Sequence, residues 1–163
     1  FCLVGHSERR INLGETDEMV AKKAVALQKS GMQPVICVGE TDAQKKKGET
    51  LKVVRAQIAA SLAGVKGDGA LAPVIAYEPV WAIHSGRPCS PLDAKNVHEA
   101  IREALVKKYG KPGAEIRIIY GGSVDARNVA EYVSTTHVDG VLVGSASLDP
   151  RAFGMLCRAA LPA

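Results

Sequence analysis

Two side chains stand where chemistry would be done: His6, directly after Cys2-Leu3-Val4-Gly5, and Glu78, directly after Val74-Ile75-Ala76-Tyr77. A helical turn beginning just after His6 disfavours a charged imidazole, so the ring can stay neutral and donate a hydrogen bond. A carboxylate at the end of an apolar strand is costly to bury unless it is used. Pro79 disfavours helical geometry at Glu78, which holds that side chain in an extended setting. Position alone leaves Glu78 open to two roles, general base or salt-bridge partner, and leaves His6 open to a structural one. Glu40, after Val35-Ile36-Cys37-Val38-Gly39, reads as the partner of a cation across the mouth of the fold.

Two glycine-bearing loops add a different chemistry. Tyr120-Gly121-Gly122-Ser123 and Val143-Gly144-Ser145-Ala146-Ser147 each follow an apolar run. Glycines let backbone N–H groups approach an anion, and a short helix start adds a favourable dipole. The pair reads as a phosphate cradle. The stretch from Pro79 to Ser90 is long for a connection of this kind, apolar at Trp81 and Ile83, and bounded by prolines. It reads as a lid on two short hinges.

These groups need a scaffold that brings strand ends together. Apolar runs at 2–4, 35–38, 74–77, 116–120 and 140–143 predict strands buried on both faces. Between them, Val20, Ala24 and Leu27, then Leu51, Val54, Ile58 and Leu62, then Val97, Ile101 and Leu105 recur at helical spacing. Phe153, Leu156 and Ala160 give a last stripe. Ser90-Pro91 and Asp149-Pro150 predict capped helix starts, and Asp125 is placed to cap the helix holding Val129 and Val133. Gly31 and Gly110 follow helices, where a left-handed residue is wanted.

Five strand–helix units in strict alternation imply a parallel α/β sheet covered by helices. An open doubly wound sheet and an arc of a (β/α)8 barrel both satisfy that pattern. No G-x-G-x-x-G follows the first strand, which weakens the dinucleotide-binding option. A (β/α)8 barrel takes about 250 residues, or about 31 per unit, so five units need about 155. The chain has 163. The expectation is one partial barrel domain over residues 1–163, with the first three units absent and the chain opening inside a strand.

Composition bounds the rest. The chain is 47% apolar and 23% charged, which excludes a disordered tail, a collagen repeat and a disulfide miniprotein. A net charge of +4 with mixed signs is too weak to argue for a nucleic-acid partner, and none is expected. No apolar run is long enough to span a membrane. With two Phe, four Tyr and one Trp, the core must rest on Val, Ile, Leu and Ala. Cys2, Cys37, Cys89 and Cys157 have no metal or redox spacing and read as reduced, mostly buried thiols of a cytoplasmic protein.

Four segments carry a family resemblance: Val4-Gly5-His6-Ser7-Glu8-Arg9-Arg10, Ala76-Tyr77-Glu78-Pro79-Val80-Trp81-Ala82-Ile83, Tyr120-Gly121-Gly122-Ser123-Val124 and Leu142-Val143-Gly144-Ser145-Ala146-Ser147-Leu148. In that order they resemble the triosephosphate isomerase family along essentially the whole chain. The resemblance implies a TIM (β/α)8 barrel that interconverts dihydroxyacetone phosphate and D-glyceraldehyde 3-phosphate, in glycolysis and gluconeogenesis. It implies no metal and no organic cofactor, a small phosphorylated substrate, and a homodimer for the full-length parent. It assigns His6 to polarising the carbonyl while neutral and Glu78 to moving the proton between carbons. Glu8 becomes a supporting or proton-relay carboxylate. Backbone amides near His84, with Ser123, Gly144 and Ser145, hold the phosphate.

The chain departs from the family pattern at His84, where the family has glycine, and at Ser145, where its last phosphate loop has a second glycine. The Asn and Lys that the family carries near its N-terminus have no counterpart here. Two other functions stay open: a fragment that keeps the phosphate site without activity, and an isomerase of a related ketose phosphate.

Overall fold

The computed structural model describes residues 1–83 and 87–161. Four parallel strands lie side by side in chain order: β1 (Cys2–Val4), β2 (Pro34–Val38), β3 (Val74–Tyr77) and β4 (Ile118–Tyr120). Helices α1 (Ser7–Leu13) and α2 (Asp17–Lys29) join β1 to β2. Helices α3 (Asp42–Lys46) and α4 (Thr50–Ser61) join β2 to β3. Helices α5 (Pro91–Tyr109) and α6 (Lys111–Glu115) join β3 to β4. Helices α7 (Val129–Val133) and α8 (Pro150–Ala159) follow β4. A sequential order without reversal is what successive barrel units produce; a doubly wound sheet reverses at a switch point.

The fifth strand expected at 140–143 is reduced to a bridge between Tyr120 and Val141. Around it the Tyr120 N–H donates to the Gly140 carbonyl at 2.9 Å, the Leu142 N–H to the Tyr120 carbonyl at 2.8 Å and the Asp139 N–H to the Ile118 carbonyl at 2.9 Å. At Ser145 the chain then turns into the three-residue 3-10 turn Ser145–Ser147, so the ladder cannot lengthen.

Strand side chains alternate between two environments, as the pleat requires. Ile36, Val38, Ile75, Tyr77, Ile118 and Tyr120 pack with Val54, Ile58, Val97, Ile101 and Leu105 of the helices. Val35, Cys37, Val74 and Ala76 form the other face with Ile119 and Leu142. Registry aligns Cys37 with Ala76 and Val38 with Tyr77, then Tyr77 with Tyr120. The C-terminal ends of β2, β3 and β4 are therefore level, which brings the loops after them to one rim.

Helix ends follow the punctuation of the sequence. Ser90 and Asp149 accept from the amides of Asp93 and Ala152, each ahead of a proline. Gly31 and Gly110 adopt φ of 76° and 66°. Contrary to expectation, Asp125 does not cap α7; Asn128 occupies that position without a side-chain bond. Asp125 instead accepts from the Arg127 amide at 2.8 Å, one turn earlier. Leu51 also falls outside its expected stripe and is exposed, while Val54, Ile58 and Leu62 are buried.

Candidate active site

Glu78 leaves β3 between two glycines that make room for it. A Cβ on Gly39 would lie 1.9 Å from the Glu78 carbonyl oxygen, and one on Gly121 would lie 2.8 Å from the Glu78 Cγ. Neither position tolerates a side chain without displacing the carboxylate or its backbone. The Glu78 N–H donates to the Val38 carbonyl at 2.7 Å, so the residue is still held by the rim of β2. The residue is only 3% exposed.

His6 faces it from the end of β1. It is the N-cap of α1, and its Nδ1 accepts the Glu8 N–H at 3.4 Å. With Nδ1 occupied as an acceptor, the proton of a neutral ring resides on Nε2. Nε2 lies 3.4 Å from Glu78 Oε1. The second oxygen, Oε2, accepts the Ser7 N–H at 3.3 Å, so α1 delivers two of its first groups to the pair. Arg10 braces this end by donating to the carbonyls of Gly5 at 2.6 Å and Cys37 at 3.1 Å, and to Asp17 at 2.6 Å.

Burial pushes the Glu78 carboxyl above the ordinary carboxylate value, while His6, the Ser7 amide, the Cys37 thiol and Arg10 pull it back. The net upward direction makes Glu78 a stronger base than a solvated carboxylate. Burial beside that carboxylate pushes the Cys37 thiol up as well, which keeps it protonated and able to donate to Glu78. Cys37 and Cys89 are buried, Cys2 is half-buried and Cys157 is exposed.

His6 and Glu78 line one cleft of about 800 Å³ together with Ser123, Gly144 and Ser145. The Ser123 hydroxyl donates to the Ala82 carbonyl at 2.7 Å, tying the β4 loop to the segment after Glu78. A Cβ on Gly144 would meet nothing within 4 Å. Glu8 is exposed and outside the cleft lining; its contribution to the pair is its backbone N–H. His84 lies outside the described residues.

Among the described residues Glu40 forms no ion pair, contrary to expectation. It is fully buried and accepts from the Tyr77 hydroxyl at 3.1 and 3.3 Å and from Trp81 Nε1 at 2.7 Å. Neutral donors satisfy it because the rim packs aromatic rings around the end of β2. Gly39, Cys37 and Arg10 were not singled out from sequence as parts of the site, and Gly121 was read only as part of the phosphate loop. Gly39 carried a signal, a glycine wedged between an apolar strand and an acid. The others did not, since their contacts are made across strands.

Residues 1–160 match the family profile "Triosephosphate isomerase". A Pseudomonas entomophila triosephosphate isomerase is 50% identical over 161 residues, covering 98% of this chain and 64% of that protein. The Thermus thermophilus enzyme is 48% identical over 161 residues with the same coverage. The crystal structure of triosephosphate isomerase from Bartonella henselae superposes with a TM-score of 0.87 at 39% identity, covering 96% of this chain and 62% of that one. The chain thus spans just under two thirds of each relative, and its four-stranded parallel sheet with covering helices is an incomplete (β/α)8 barrel. With a profile match over nearly every residue and a site whose parts meet at the strand ends, the chain belongs to the triosephosphate isomerase family.

Proposed function

We propose that the polypeptide carrying these residues interconverts dihydroxyacetone phosphate and D-glyceraldehyde 3-phosphate, with residues 1–163 contributing one domain of that enzyme. The observation that carries this reading is the buried Glu78 carboxylate set 3.4 Å from a His6 Nε2 whose partner nitrogen is already engaged. Glu78 removes the proton from the carbon beside the carbonyl and returns it to the neighbouring carbon. His6, neutral, donates from Nε2 to the substrate oxygen and stabilises the enediolate between the two transfers. Ser123, Gly144 and Ser145 hold the phosphate in the same cleft, and the family likeness adds the backbone near His84. Glu8 acts through its amide on His6. By the same family likeness, the enzyme works in the cytoplasm as a homodimer; among the described residues no helix is long and apolar enough to cross a membrane.

A second reading, phosphate binding without turnover, is supported by the cation content of the cleft. Arg127 is its one lysine or arginine among the described lining residues, and Asp125 already engages it at 2.5 and 3.0 Å. The two readings separate in one experiment on the full polypeptide and its Glu78→Gln variant, assayed for triose phosphate interconversion. Isomerisation predicts turnover that falls by about 10² to 10⁴ in the variant. Turnover within tenfold of the parent removes Glu78 as the base. Phosphate binding with no turnover in the parent supports the second reading.

A further inference from the structure

We infer that Lys45 is a positioning residue for the segment that carries Glu78, acting through the face of Trp81. The inference rests on the proposed role of Glu78 as the base. Trp81 is the chain's single tryptophan and lies in the 3-10 turn Val80–Ala82, three residues beyond Glu78. Lys45 Nζ stands 3.9 Å from the indole centroid, well inside the reach of about 6 Å over which an ammonium is attracted to an aromatic face. On its edge the same ring donates Nε1–H to Glu40 Oε1 at 2.7 Å.

The turn after Glu78 is gripped at three points. The Val80 N–H donates to the Glu40 carbonyl at 3.0 Å, the Trp81 indole donates to the Glu40 carboxylate, and the Ala82 carbonyl accepts from Ser123. Glu40 also accepts from the hydroxyl of Tyr77, the residue before Glu78. The buried carboxylate therefore holds the chain on both sides of the proposed base. Lys45 is the cation of this arrangement, and its charge reaches Glu40 through the ring. An ammonium over the indole draws electron density from it and strengthens the N–H as a donor.

Lys45 has the indole face as its recorded partner among the described residues. It makes no ion pair there, whereas its neighbour Lys46 binds Asp42 at 2.6 Å. It sits in the last turn of α3, a helix whose start is fixed by the reciprocal capping box of Thr41 and Gln44. A fixed helix start and a half-buried side chain hold the ammonium over the ring.

Two substitutions separate charge from bulk. Lys45→Met keeps the stem and removes the cation; Lys45→Arg keeps a cation over the ring. In the full polypeptide, Lys45→Met lowers kcat about two- to fivefold with KM unchanged, and Lys45→Arg restores the parent value. In the same full polypeptide, solvent exchange of the Trp81 indole N–H, followed by NMR, speeds up by a similar factor in Lys45→Met and not in Lys45→Arg. Exchange unchanged in Lys45→Met, or an equal effect in both variants, overturns the inference. So does faster exchange with an unaltered kcat in an active parent. A parent without isomerase activity instead defeats the proposed function, and the exchange measurement alone then decides whether Lys45 acts through Trp81.

Discussion

Glu78 is held in tension between burial and its donors, and the balance sets a testable pH dependence. Burial raises its carboxyl above the ordinary carboxylate value, against the pull of His6, the Ser7 amide, Cys37 and Arg10. A group whose folded pKa is raised binds its proton more tightly folded than unfolded. The stability it contributes is present below about pH 4.5 and is lost as pH rises through the folded value. Replacing the carboxylate with a neutral amide of the same shape removes that loss. We expect Glu78→Gln to unfold at higher urea than the parent at pH 8, and the two curves to converge at pH 4. A variant less stable than the parent at pH 8 would mean that the donors outweigh burial.

At the scale of elements, α5 carries a second buried titratable group. His98 is fully buried, its edge set against Tyr77 with ring centroids 5.9 Å apart. Nδ1 bonds the His137 carbonyl at 2.9 Å, and among the described residues Nε2 has no partner. Nδ1 is therefore the protonated nitrogen of a neutral ring. Burial pushes His98 down to about 4, against the support of the His137 carbonyl and Asp139, with Arg102 and the His137 ring adding to the fall. A depressed folded value means that its contribution is present above pH 6.5 and is lost as pH falls toward 4. The loss is on the order of 3 kcal/mol. In His98→Gln, urea unfolding should show a flatter decline between pH 6.5 and 4.5; identical slopes would remove His98 as the cause. The same helix begins beside Cys89, whose N–H donates to the Tyr120 hydroxyl at 3.1 Å while Tyr132 donates to its carbonyl. Tyr120 and Tyr132 stack at 4.3 Å, so β4 and α7 together anchor the chain entering α5.

The molecule as a whole leaves apolar surface at both ends of its sheet. Among the described residues β1 pairs only with β2. Phe1, Leu3, Ile11 and Leu13 are exposed around it, and Leu148, Phe153 and Met155 are exposed beside the last strand-like segment. An open edge with apolar side chains is a template for association. The 163-residue chain on its own should sediment as oligomers and bind a hydrophobic dye. A monodisperse species with no dye binding would show that these surfaces are tolerated in water.

Strand–helix alternation, helix caps and the two strand-end groups, His6 and Glu78, were legible because each is a local property of a few residues. A proline after a capping side chain starts a helix wherever it occurs, and an acid closing an apolar run stands out against its neighbours. The partners of those groups were not legible. Glu40 was expected to meet a cation and meets Tyr77 and Trp81, because strand register, not sequence distance, sets what faces it. The fifth strand was expected as a strand and survives as one bridge, because ladder length depends on the neighbouring strand as much as on β propensity. Gly39 and Gly121 matter only once Glu78 lies between them. Thus composition and pattern alone determined a parallel α/β chain with an acid and an imidazole at strand ends. Tertiary structure decided their 3.4 Å approach, the burial that makes the acid a base, and the Lys45–Trp81 contact. Those depend on which strand ends are level at the rim, and chain separation carries no record of that.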